Sequence, residues 1–244
     1  MSKREMMDSL ERPGLFKEVK VVLVGPAKCG KTALIQRFVN DTFSDNYIPT
    51  GFEKYSTKSK IGDYTIEYSI WDTSGSGSYD TVRPLAYQDA QAFILCFNVG
   101  EPESLEHAIH KWLPEVRAHC NVSTPIILCG CKADIRLMEA PDTNLYMNQG
   151  QITREQAYMA CQHIGATGYV ETSSFYPGMV AVVEVFHKAA EAALGISLLD
   201  CNSSLKTPKK KRKIYSIGTL GKTSPKQEDT RSEVGKSSKN CCLM

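Results

Sequence analysis

Eight consecutive residues, Gly25-Pro26-Ala27-Lys28-Cys29-Gly30-Lys31-Thr32, match G-x-x-x-x-G-K-[ST], a pattern whose chemistry is the grip of a polyphosphate. Backbone N–H groups of this loop, with Gly25, Ala27, Lys28, Cys29 and Gly30 along it, and of the helix start point at phosphate oxygens. Lys31 reaches the β and γ oxygens, and the Thr32 hydroxyl holds magnesium. Further along, Cys131-Lys132-Ala133-Asp134 supplies base selectivity. The Asp134 carboxylate accepts from two guanine N–H groups that adenine cannot offer, and the Lys132 stem lies along the base. Glu171-Thr172-Ser173-Ser174 brings backbone N–H groups, at Ser173 and Ser174, to the guanine oxygen. The phosphate loop alone leaves GTPases, ATPases and small-molecule kinases open. Asp134 favours guanine, and the lack of a lid-like insertion argues against a metabolite kinase.

These residues need a scaffold that brings loop ends together. The run VKVVLVG at 19–25 reads as a buried strand ending in glycine, and 31–39 as an amphipathic helix. Apolar runs at 64–71, 92–99 and 125–130, with a weaker one at 168–170, alternate with helical patterns at 103–120, 154–164 and 179–194. That alternation predicts an α/β fold, a mostly parallel sheet with helices on both faces. In such sheets ligands bind at the carboxyl ends of the strands, where each motif falls.

Composition sets the limits. With 42% hydrophobic and 23% charged side chains in 244 residues, the chain can bury one ordinary core and carry a tail. The net charge of +2 conceals an imbalance: residues 201–244 carry +8 and residues 1–200 carry −6. Nine cysteines lack the paired spacing of a secreted disulfide framework, and Cys29, Cys96, Cys129 and Cys131 fall in strands or the phosphate loop, which fits a reduced, cytosolic setting. No apolar run approaches the roughly 20 residues that cross a bilayer, and the first residues lack the apolar stretch of a signal peptide.

Taken together, the motifs resemble those of the Rho family of Ras-superfamily small GTPases, over roughly residues 18–195. Asn46-Tyr47-Ile48-Pro49-Thr50 resembles the family's switch I, Trp71-Asp72-Thr73-Ser74-Gly75 the start of switch II, and Val82-Arg83-Pro84-Leu85 the segment after it. Residues 136–150 occupy the place of the short Rho insert. The resemblance implies a P-loop small G-domain with a six-stranded sheet, a flexible extension at 1–17, and a disordered basic tail at 196–244. It also implies that Thr50 ligates Mg2+ beside Thr32 and senses the γ-phosphate, that Asp72 holds the ion through water, and that Gly75 contacts the nucleotide. Phe43 either covers the guanine edge or is a core aromatic.

The departures from the family bear on turnover. Where the family has a glutamine that orients the attacking water, this chain has Ser76, too short to reach it. Where glycine usually admits a partner's arginine finger, Ala27 places a methyl group. Unassisted Ras-type hydrolysis runs at about 3–5 × 10⁻⁴ s⁻¹, and the finger adds about 10⁵-fold. Loss of both devices predicts a GTP-bound state lasting hours, with no confident catalytic residue. Ser74, Ser76 and Tyr79 resemble the Rnd subgroup, thought to stay loaded with GTP. Lys28 either counters phosphate charge or points to solvent, Cys131 stands where Asn or Thr is usual, and Gly51 could loosen switch I.

The last four residues, Cys241-Cys242-Leu243-Met244, fit C-a-a-X, with a terminal Met that favours farnesyl on Cys241. One lipid chain holds weakly, so the basic run at 209–213 supplies a second signal toward anionic membrane lipids. The same run also reads as a nuclear localisation tract. The expectation is a monomeric GTP/GDP-binding module on the cytoplasmic face of a membrane, binding effector proteins through switch I and II, with no nucleic-acid partner. Its expected outputs are actin organisation, adhesion or vesicle traffic. The rival readings are a conventional slowly cycling GTPase and a lipidated adaptor indifferent to its nucleotide.

Overall fold

The computed structural model describes residues 15–137, 150–176 and 180–196. The tail with Cys241 and the 209–213 run, most of the expected insert, and residues 1–14 lie outside the described residues.

A valine-rich strand, β1 (Leu15–Val24), stands at the centre of a six-stranded sheet ordered β2-β3-β1-β4-β5-β6. Its partners are β3 (Tyr64–Thr73) and β4 (Ala92–Asn98), both parallel to it, and β5 (Ile126–Cys131) and β6 (Gly168–Glu171) continue the parallel set. Strand β2 (Phe52–Ile61) alone runs antiparallel, folded onto β3 across the tight turn at Gly62, whose φ of 57° suits a two-residue hairpin. The six-stranded, mostly parallel expectation holds. Apolar periodicity does not reveal β2, because this edge strand reads FEKYSTKSKI and buries little but Ile61.

Because β1 is covered on both faces, its run is continuously apolar rather than alternating. Val19, Val21 and Leu23 join one core with α1 (Lys31–Asn40) and α4 (Val180–Leu194), through Leu34, Ile35, Phe38, Val185 and Phe186. Val22 and Val24 join the other, with α2 (102–119) and α3 (Arg154–His163), around Trp112, Val116, Ala157 and Cys161. Helix α3 starts on a capping box in which the Thr153 hydroxyl accepts from the Gln156 N–H and the Gln156 side chain accepts from the Thr153 N–H. Among the described residues no helix is long and apolar enough to cross a membrane.

Two expectations need correction. The strand begins at Leu15, inside the extension expected at 1–17. Residues 15–17 pair through their backbone with 64–66 while their side chains stay exposed, so no apolar pattern marks them. The helix read as one pattern over 103–120 contains a π-helical turn, Ala108–Trp112, where the Leu113 N–H bonds the Ala108 carbonyl five residues back. Pro114 explains it: proline has no N–H for the carbonyl four residues earlier, and its ring needs the wider turn.

Candidate nucleotide-binding site

The chain passes from β1 to β2 and β3 on one side of it and then crosses to β4 on the other, so the loop after β1 sits at the switch point of the sheet. Gly25 turns out of β1 at a φ of 146°, and a Cβ there would lie 2.3 Å from the Cys96 carbonyl oxygen. Gly30 caps α1 at a φ of 117° with no side-chain acceptor on the first turn, leaving its N–H groups directed into the cleft. The buried Lys31 ammonium donates to the carbonyls of Gly25 and Pro26, both at 2.8 Å, which folds the loop around it. Lys28, at a φ of 65°, is exposed, and its ammonium lies 5.4 Å from the centre of the Tyr47 ring, across the mouth of the cleft.

At the end of β3 the Asp72 carboxylate is fully buried. Its Oδ2 accepts from the Thr32 hydroxyl at 2.6 Å, and the Thr32 and Thr50 hydroxyls are 2.8 Å apart. Burial pushes the Asp72 pKa up to about 6, against the pull of the Thr32 hydroxyl and Lys31. Its other oxygen, Oδ1, is buried with no hydrogen-bond partner among the described residues. Two hydroxyl oxygens and a carboxylate with one orphaned oxygen are the donor chemistry of a hard divalent cation such as Mg2+.

At the other end, the Asp134 carboxylate accepts from the Ser173 hydroxyl at 2.6 Å, while the Ala133 N–H bonds the Thr172 carbonyl and the Thr172 N–H the Gly130 carbonyl. These bonds extend the β5–β6 ladder into the loops, and Lys132 makes the turn at a φ of 61°. Phe43 is half-buried, edge-on to Phe175 at 5.4 Å, on the rim of the cleft and outside the core clusters. Ser174 and Lys132 line the same cleft, whose volume is about 640 Å³.

Two arginines that sequence reasoning did not single out hold the ends of the cleft. The Arg37 guanidinium, from α1, donates to the Ser174 carbonyl at 2.7 and 2.9 Å and pairs with Asp41. Behind the base loop, Glu171 accepts from Arg136, Arg154 and the Tyr169 hydroxyl. Burial alone would raise its carboxyl, but these donors outweigh burial and hold it below the usual value. Arg83 is fully buried. It donates to the carbonyls of Ser74 and Ser76, pairs with Asp80 and Glu115, and lies over the Trp112 ring at 4.3 Å. The chemistry of Arg83 is hidden in sequence because its partners are up to 32 residues away.

The segment after β3 is thereby fixed against the phosphate loop. A Cβ on Gly75 would lie 2.2 Å from the Ala27 nitrogen, so only glycine fits. Ser76 is exposed on the cleft, and its hydroxyl accepts from the Ser78 N–H to cap the turn Gly77–Tyr79. Gly51 has a packing role beyond loosening: a Cβ there would meet the Tyr79 hydroxyl at 3.3 Å, and Tyr79 also packs edge-on against Phe52.

The model of the Ras family matches residues 20–194. The human Rho-related GTP-binding protein RhoE is 35% identical over 221 residues, covering 90% of this chain and 86% of that protein. The human Rho-related GTP-binding protein RhoD is 38% identical over 75% of this chain and 87% of its own length. The GTP-binding protein RHO1 of Saccharomyces cerevisiae is 38% identical over 80% of this chain and 92% of its own length.

Proposed function

We propose, from the premise that this chain belongs to the Ras family and to its Rho-related, GTP-binding branch, that it holds GTP with Mg2+ and hydrolyses it very slowly. The observation that carries this reading is the γ-phosphate end of the cleft. Ala27 and Gly75 are packed together there, and Ser76 spends its short side chain on capping the Ser78 N–H. A water-orienting group must stand within hydrogen-bond reach of the attacking water, and a serine in that cap does not extend to it.

The rest of the site reads as a binding machine. Lys31 and the N–H groups at the start of α1 take the phosphates, and Asp134 and Ser173 set the guanine, with Lys132 beneath it and Phe43 at its edge. Thr32 and Thr50 ligate Mg2+, and Asp72 holds it through water; the ion neutralises charge on the phosphates when bound. Tyr47, Ile48, Val82 and Leu85, all exposed, form an apolar face across the two switch segments on which effector proteins dock. A lipid on Cys241, with the basic run at 209–213, places that face at the cytoplasmic side of a membrane.

Single-turnover hydrolysis tests this. The protein is purified, its bound nucleotide identified by chromatography, and GTP decay followed with Mg2+. Co-purified GTP that persists for hours supports the reading. GDP in the purified protein, with GTP consumed within minutes, overturns it.

A further inference from the structure

Behind the phosphate loop lies a group of three thiols, two of them outside the nucleotide cleft and the third, Cys131, lining it, whose sulfurs the nucleotide reading gives no task. Cys96 and Cys129 are register partners on β4 and β5, and Cys131 is two residues further along β5, so all three thiols project from one face of the sheet. Their sulfurs lie within 4.8 Å of one another, with Cys129 and Cys131 3.9 Å apart. They are 0%, 0% and 3% exposed, and all are free thiols. Two sulfurs bound at about 2.3 Å to a tetrahedral centre are about 3.8 Å apart. The observed pair therefore needs almost no movement to share an ion.

We propose that Cys96, Cys129 and Cys131 form a three-thiolate site for a thiophilic d¹⁰ cation, with Zn2+ as its occupant. Soft sulfur donors in a water-excluded setting select Zn2+ or Cu+ over Mg2+. Charge decides between the first two: three thiolates leave −1 around a dication and −2 around a monocation, and a dry core tolerates the smaller charge better. Binding replaces three S–H bonds with three Zn–S bonds and releases three protons to solvent, so charge is conserved without an oxidant. The Thr172 hydroxyl, 3.5 Å from the Cys129 sulfur, is placed to turn its proton toward a thiolate. Because Cys96 and Cys129 are sealed in the core and Cys131 is only 3% exposed, where it lines the cleft, the ion is acquired as the chain folds. The packing also ties the site to the cleft, since a Cβ at Gly30 would touch the Cys131 Cβ at 3.1 Å. The proposal does not depend on whether GTP is turned over.

The test uses the full chain with Cys201, Cys241 and Cys242 changed to serine, so that tail thiols do not compete. It is expressed in zinc-supplemented medium and, separately, in minimal medium with cobalt. The expected result is one zinc per chain that survives dialysis against a weak chelator. The cobalt form should show thiolate-to-cobalt charge transfer and the visible bands of an ion held by three thiolates. Cys96→Val and Cys129→Val should each lose the metal while still melting cooperatively, and Cys120→Ser and Cys161→Ser should keep it. A metal-free parent chain overturns the proposal whether or not the variants fold, and so does zinc retained by both valine variants.

Discussion

At the base end of the cleft, Asp134 is held by Ser173, the Ser174 carbonyl by Arg37, and the loop behind them by Glu171 with three donors. At the phosphate end the polar bonds are just as numerous, yet Arg83 directs them at the carbonyls of Ser74 and Ser76 and at Glu115. They fix the backbone, and on the proposed reading they offer no partner to the attacking water. The same amount of order thus serves recognition at one end and immobility at the other. On the proposed reading, guanine selectivity resides in half-buried ladder ends that many bonds secure, whereas turnover depends on side chains at two exposed loop positions, Ala27 and Ser76. Recognition can therefore survive when turnover is lost.

The largest effect that would break this comparison is on stability. Arg83→Ala leaves two carbonyls without their donor and Glu115 with the Tyr87 hydroxyl in place of a charged partner, and removing one member of a buried pair costs about 3–5 kcal/mol. Denaturant melts should show that loss in the midpoint. Next comes Asp134→Asn, which removes a charged acceptor. At about 1.5–3 kcal/mol for each charge-assisted bond, affinity for a fluorescent GTP analogue should fall roughly a hundredfold, and discrimination against ATP should fall with it. A loss of less than threefold would mean that base recognition lies elsewhere. Third, Ala27→Gly with Ser76→Gln should raise single-turnover hydrolysis about tenfold, about 1.4 kcal/mol of barrier, with guanine affinity unchanged. The smallest effect is at the mouth. Lys28→Ala deletes an exposed cation–π contact of about 0.5–1 kcal/mol, so stopped-flow release of bound nucleotide should quicken by about two- to fivefold.

How far the sequence announces all this depends on the range of the forces involved. The phosphate loop is legible because its constraints are local: glycines at positive φ, a lysine curled onto carbonyls five and six residues back, and a helix start within eight residues. Strands β4 and β5 are legible because burial on both faces demands continuous apolar runs. Strand β2 is not, since an edge strand stabilised by backbone pairing needs no apolar code. Arg37 and Arg83 are equally silent, because bonds to carbonyls 137 and 9 residues away impose no spacing rule. The Lys28–Tyr47 contact is silent for the same reason: the two residues are 19 apart, and Tyr47 lies in a segment without periodic structure.

Helix α1 carries one further consequence. Its first turn faces the phosphates, and Arg37, within the same rigid element, grips the loop that faces guanine. The two half-sites are thus set at a fixed spacing before any ligand arrives, and a nucleotide behaves toward them as a bivalent ligand toward a preorganised chelator. On the proposed reading, guanine alone and triphosphate alone would each meet half of the cleft and bind weakly. Joined through ribose, the second contact becomes intramolecular, and its effective concentration multiplies the first. The protein acts in this sense as a gauge of molecular length.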